Sequence, residues 1–146
     1  MKDKYIVFFI SRTKKKMIDF IEEKLKEYNM EGLIPSHGNI LTALYESEGK
    51  LTMKEIARII GKDKSTVTPL VNKLLSLGYI KKSKDKNDKR VSYIMLTDKG
   101  ISMETKYRNI SMEVYETAYK DFTEDEKETL NRLLKKLSMN FNKQKQ

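Results

Sequence analysis

The stretch from Gly49 to Gly78 leaves room for two short helices and almost nothing between them. Thr52 and Glu55 form a Thr-x-x-Glu capping box, in which each side chain answers the other's backbone N–H. Leu51 and Ile56 occupy the two positions of a hydrophobic staple across that cap. These signals agree on a helix that starts at Thr52, runs to Ile60 and stops at Gly61. Only Lys62 and Asp63 separate it from a second helix, for which Asp63 is a good N-cap. There Val67, Leu70, Val71, Leu74 and Leu75 make an inward stripe, and Gly78 ends the helix. The opposite face carries Lys64, Ser65, Thr66, Thr68, Asn72, Lys73 and Ser76, polar and free of acid beyond the cap. Pro69 falls inside this helix, where it removes a backbone donor and crowds the Ser65 carbonyl. Either a kink or a start later than Asp63 is expected. Upstream, Ser36 is expected to cap a helix through about Ser47, with Ile40, Leu41 and Leu44 inward.

Tyr79 to Lys84 and Val91 to Leu96 read as two strands. Between them, Asp85-Lys86-Asn87-Asp88-Lys89-Arg90 makes a polar hairpin tip. From Lys81 to Arg90, six of ten residues are basic. The charge is concentrated on a larger scale too. Lys50 to Gly100 holds 13 basic and 5 acidic groups, against 17 and 16 in the rest of the chain. A charge excess confined to one third of a chain points to a polyanion, because each neutralised phosphate releases counterions.

Helix, tight glycine turn, helix and basic hairpin together make a winged helix-turn-helix. A helix fits the major groove and presents side chains to base edges. A basic loop follows phosphates or enters the minor groove, whose negative potential favours Arg and Lys. Lys64, Ser65, Thr66, Thr68, Asn72 and Lys73 are the candidate DNA contacts of the second helix. Asn72 suits adenine, and Lys73 suits guanine or phosphate. In the wing the candidates are Lys86, Asp88, Lys89 and Arg90. Arg90 is the strongest single one, with Asp88 orienting its guanidinium or bracing the hairpin, and Lys86 and Lys89 on phosphates.

The flanks are helical. Ile6, Phe9, Ile10, Met17, Ile21, Leu25 and Tyr28 recur at helical spacings over Tyr5 to Tyr28, after which Gly32 and Pro35 break the helix. Thr97 is expected to cap one helix from Asp98 to about Asp121. Thr123 and Glu126 form a further capping box, starting a last helix through about Asn142. The expected division is a dimerisation helix over 1–33, a DNA-binding lobe over 34–100 and dimerisation helices over 101–146. Met17, Phe20, Met103, Tyr107, Met112 and Tyr115 suit an effector pocket, since Met surfaces adapt to varied ligands. Apolar residues at helical spacing are more often core, so dimer core is the preferred reading of the same six.

Asp88-Lys89-Arg90 followed by Leu96-Thr97 and Gly100 resembles the wing signature of the MarR family of bacterial regulators, an Asp-x-Arg and then Leu-Thr-x-x-Gly. Lys64-Ser65-Thr66-Val67-Thr68 and Leu77-Gly78-Tyr79-Ile80 are similar to its recognition helix and the exit from it. The layout matches along the whole chain. The resemblance implies a two-fold homodimer with interlocked terminal helices and two winged units facing double-stranded DNA. It also implies repression, relieved by a small aromatic or phenolic effector. Composition and spacing alone reach DNA binding, not repression or ligand response. Thr97 and Gly100 are assigned to capping and close packing.

Other classes fare worse. Cysteine is absent, which excludes disulfides, thiolate metal sites and the thiol-based oxidant sensing used by one branch of the family. His37 is the one histidine, so no metal or cofactor is expected; it reads as a surface or cap-adjacent residue. No phosphate-binding glycine loop or nucleophile pair points to an enzyme. No run is long and apolar enough for a membrane span, and Tyr5 to Ile10 is too short for a signal peptide, so a cytoplasmic protein is expected. The rival reading is a winged helix for protein–protein contact, which has no need of a basic wing.

Overall fold

A computed structural model describes residues 3–30 and 32–142. Met1, Lys2 and Glu31 of the expected 1–33 segment and the last four residues of the expected 101–146 segment lie outside the described residues. The chain divides into two compact units, Met1–Ser111 and Met112–Gln146.

In the first unit, α1 spans Ile6–Glu27 after a short 3₁₀ turn at Asp3–Tyr5. Next come α2 (Pro35–Tyr45), β1 (Lys50–Leu51), α3 (Met53–Ile60), α4 (Lys64–Ser76), β2 (Ile80–Lys84), β3 (Ser92–Leu96) and α5 (Asp98–Ser102). The sixth helix, α6 (Glu104–Ala118), crosses the division, and α7 (Glu124–Asn140) follows in the second unit. The fold is thus mainly helical with a small antiparallel sheet of order β1-β3-β2. The core of the first unit is formed by Met30, Ile40, Leu41, Leu44, Ile56, Val67, Val71, Leu74 and Ile94, all fully buried. Helices α2, α3 and α4 pack on one another around it, and Leu51 and Ile56 of the staple are both buried.

Local chemistry explains most boundaries. Glu55 N–H donates to Thr52 Oγ1 at 3.1 Å and Thr52 N–H to Glu55 Oε1 at 3.4 Å, closing the expected capping box. Gly61 ends α3 at φ +68°, a left-handed geometry that costs glycine little. Thr123 and Glu126 close the second box at the start of α7.

Four expectations need correction. Helix α2 is not capped by Ser36. It begins at Pro35, whose missing N–H would be unpaired at a first helical position anyway. The Ile34 N–H instead donates to His37 Nδ1 at 2.9 Å. His37 is therefore a capping group, and it is only 5% exposed rather than on the surface. The helix expected from Asp98 to Asp121 is two. At Met103 the N–H reaches back three residues to the Gly100 carbonyl, a tightened turn that separates α5 from α6. The hairpin is also not alone, because Lys50 and Leu51 pair with Met95 and Ile94 as a third strand. Finally, α7 stops at Asn140, two residues short of the expected end.

Candidate nucleic-acid interface

Helix α4 starts where Asp63 predicts, not later. The Asp63 carboxylate accepts from Thr66 N–H at 2.8 Å and from the Ser65 hydroxyl at 2.8 Å. Those hydrogen bonds, the Ser65 one foremost, hold the Asp63 carboxyl below its ordinary range. Pro69 sits within the helix without delaying it. It cannot donate to the Ser65 carbonyl, and one residue earlier the Thr68 hydroxyl bonds back to the Lys64 carbonyl at 2.8 Å. Val67, Val71 and Leu74 are buried, so the helix is seated by one face. Lys64, Ser65, Thr66, Asn72 and Lys73 are exposed on the remainder, and Thr68 is half-buried.

The wing is a built turn rather than a loose loop. Asp85 N–H donates to the Val91 carbonyl at 2.9 Å, and Asp85 Oδ2 accepts from Asn87 and Asp88 N–H at 3.1 and 2.9 Å. Arg90 Nε and Nη2 meet the two Asp88 oxygens at 3.0 and 3.1 Å, a forked pair. Arg90 N–H adds a third bond to Asp88 Oδ1 at 3.0 Å. The pairing lowers the Asp88 pKa and raises that of Arg90. The Arg90 side chain is still 91% exposed, so Asp88 fixes the direction of the guanidinium without covering it. Lys86 and Lys89 are exposed at the same tip.

The six residues considered for an effector pocket divide differently. Tyr107 is buried, Phe20 and Met103 are half-buried and Met17 is exposed in the first unit, whereas Met112 and Tyr115 are exposed in the second. The Tyr107 hydroxyl is buried with no hydrogen-bond partner, and burial raises its pKa. Among the described residues no group of acidic or histidine side chains could hold a metal ion, and no helix is long and apolar enough to cross a membrane.

Residues outside the expected set brace these two elements. Lys50 Nζ lies 4.3 Å from the Tyr93 ring centroid, at the root of the wing. Lys99 bonds the Leu77 carbonyl at the end of α4, 2.7 Å away. Both are contacts between distant segments, and neither has a local sequence signal.

Comparison with known proteins places this geometry. The MarR family model matches residues 31–91, from the connection before α2 through the tip of the wing. The HTH-type transcriptional regulator SarZ of Staphylococcus haemolyticus is 32% identical across 97% of this chain and 95% of its own. The chain belongs to the MarR family. Solved structures agree on the fold. A mutant MarR from Escherichia coli complexed with operator DNA superposes with a TM-score of 0.78 at 22% identity, covering 90% of this chain and 92% of that one. Reduced AbfR bound to DNA gives 0.74 at 25% identity, covering 95% and 94%.

Proposed function

We propose that this protein is a cytoplasmic, sequence-specific DNA-binding transcriptional repressor. It acts as a homodimer on a pseudo-palindromic operator and is released by a small aromatic or phenolic effector. The observation that carries the reading is the pairing of two exposed basic features on one compact unit. One is the outer face of α4, acid-free past its cap; the other is the wing tip, where Asp88 aims an exposed Arg90. A helix face reads base edges in the major groove, and an arginine on a narrow tip suits the minor groove beside it. Lys64, Lys73, Lys86 and Lys89 supply phosphate contacts, and Asn72 supplies readout. DNA-bound structures among the similar folds support the same arrangement.

Residues 34–100 form the DNA-binding lobe in this reading, and the flanking helices form the dimer. Support comes from apolar surface that a single unit leaves in water. Val7 and Phe8 are 71% and 68% exposed on α1, and Leu130, Leu133 and Leu134 are exposed on α7. Apolar stripes of this size are normally covered by a partner. A second copy of the chain covers them here.

The test is selection of bound duplexes from a random pool, followed by fluorescence anisotropy on the selected and a scrambled duplex at two salt concentrations. The selected sequence should carry two related half-sites about one helical turn apart. It should bind more tightly than the scrambled one, and both affinities should fall with salt. No salt-dependent binding to either duplex would sink the reading and leave protein–protein contact in its place.

A further inference from the structure

We propose that Lys99 is a positioning residue for the recognition helix: a cationic tether that pins the C-terminal end of α4 to α5 and so sets the angle of the reading face. The proposal rests on α4 being the helix that reads DNA.

The argument starts from where the carbonyls at the end of α4 go. Leu77 N–H donates to Lys73, Gly78 N–H to Leu75 and Tyr79 N–H to Leu74, at 3.0, 3.1 and 3.1 Å. With Gly78 at φ +80°, the last two make a Schellman ending. Beyond it, one turn of another segment takes three carbonyls, those of Leu77, Gly78 and Tyr79. Lys99 Nζ donates to the Leu77 carbonyl at 2.7 Å, the Thr97 hydroxyl to that of Gly78, and Thr97 N–H to that of Tyr79 at 3.1 Å.

Within this clamp Thr97 also caps α5, through Gly100 N–H at 3.1 Å. Lys99 has no such second duty. Its ammonium lies 4.7 Å from the Tyr79 ring centroid, and its stem passes over Gly78, where an added Cβ would sit 3.9 Å from Lys99 Cδ. A cation here also faces the negative end of the α4 dipole. In a chain this basic, an exposed lysine would ordinarily be read as a phosphate contact. The geometry instead commits Lys99 to the protein. The cap at the other end of α4 is local, since Asp63 binds only its own helix. The angle of α4 is therefore set by its buried face and by the clamp at its exit. Base readout needs that angle to be held closely, whereas attraction to phosphates tolerates some play.

The test uses the full-length chain, with Lys99→Met removing the charge and Lys99→Arg restoring a donor. Anisotropy is measured on selected and scrambled duplexes across a salt series, and amide hydrogen exchange is followed without DNA. Lys99→Met should lose about fivefold to tenfold of the preference for the selected duplex, the scale of one ordinary hydrogen bond, as suits an exposed ammonium. Its affinity for the scrambled duplex and its salt slope should stay unchanged, and Lys99→Arg should recover most of the preference. Exchange should quicken at Leu77, Gly78 and Tyr79 but not at Ile94 in the core. A shallower salt slope, with both duplexes weakened equally, would make Lys99 a phosphate contact and overturn the tether. So would unchanged preference in Lys99→Met. A wild-type protein that shows no salt-dependent binding to either duplex would overturn the DNA reading itself, which is a distinguishable result.

Discussion

Replacing Gly100 by alanine should destabilise the protein severely, although alanine is the better helix former. Gly100 lies in α5 with its backbone pressed against the end of α4. A Cβ added there would overlap the Tyr79 carbonyl oxygen and lie 3.1 Å from both the Tyr79 carbonyl carbon and Leu96 Cδ2. The leucine methyl can swing away, but the Tyr79 carbonyl belongs to backbone that also accepts from Thr97 N–H at 3.1 Å. Relieving the overlap means prising α5 from the α4 exit. That movement loosens the two Thr97 bonds and the Tyr45 hydroxyl bond to the Gly100 carbonyl, 2.7 Å long. Overpacking strain of about 1–3 kcal/mol adds to about 1 kcal/mol per loosened bond, offset by about 1 kcal/mol of helix propensity. A net loss of about 4 kcal/mol follows, or more than about 1 M in urea midpoint. Urea unfolding followed by circular dichroism should be run at one protein concentration, because a dimer's stability depends on it. Gly38→Ala is the comparator. Its Cβ would lie 3.0 Å from the edge of the Tyr107 ring, a side chain that can tilt, so its cost should be well below that of Gly100→Ala. A Gly100→Ala protein as stable as wild type, or less harmed than Gly38→Ala, would refute the reasoning.

Arg90→Ala should weaken binding to all duplexes and flatten the slope of log affinity against log salt by roughly two units per dimer, read by anisotropy. An unchanged slope removes Arg90 from the interface. Asp88→Ala should also weaken binding despite removing an acid, because the forked pair that aims Arg90 is lost; tighter binding would show that Asp88 only repels phosphate. Asn72→Ala should reduce the preference between sequences by about 1–3 kcal/mol with little change in salt slope, if its contact is bidentate. For pH, burial and then Lys73 lower the His37 pKa from its ordinary 6.5. The unfolded chain therefore binds the proton more readily, and stability should fall as pH drops below about 6.5. His37→Asn keeps an acceptor near the Nδ1 position and should flatten that dependence in urea titrations. Persistence of the full slope would place its origin elsewhere. Asp63 and Asp88, whose pKa values are lowered, lose their contributions only at more acid pH, as the pH falls through their folded values. Sedimentation at micromolar concentration should give a single species of twice the chain mass, and a folded monomer there would exclude the dimer.

What could be read from the sequence was what depends on near neighbours. The boxes at Thr52 and Thr123 and the Asp63 and Thr97 caps all work over three residues, and all four stand where the residues put them. The wing residues Asp88 and Arg90 are two apart, so their pairing was equally visible. The start of α2 was missed because a histidine ring performs the capping ordinarily given to serine. The remaining misses span long distances. Lys50 finds Met95 as a strand partner, Lys99 reaches Leu77 and Tyr45 reaches Gly100 only once the core has formed. The break at Met103 carries no glycine or proline of its own. It follows a turn whose position is dictated by the fit of Gly100 against Tyr79.

The strand order gives the wing a mechanical character. At its root, Met95 and Ile94 are flanked on both sides, by Lys50 and Leu51 of β1 and by Lys81 and Lys82 of β2. Further out, the Tyr93 and Ser92 backbones pair on one side only, with Ser83 and Lys84, although Lys50 Nζ still rests on the Tyr93 ring. The hairpin is thus built like a cantilever, its backbone paired on both sides where it leaves the body and on one side only from Tyr93 outward. Bending should concentrate in that outer half. In the proposed DNA complex the arm would follow grooves of different width while the angle at which it leaves the body stays the same, and changes in tip length should be absorbed without disturbing the base of the beam.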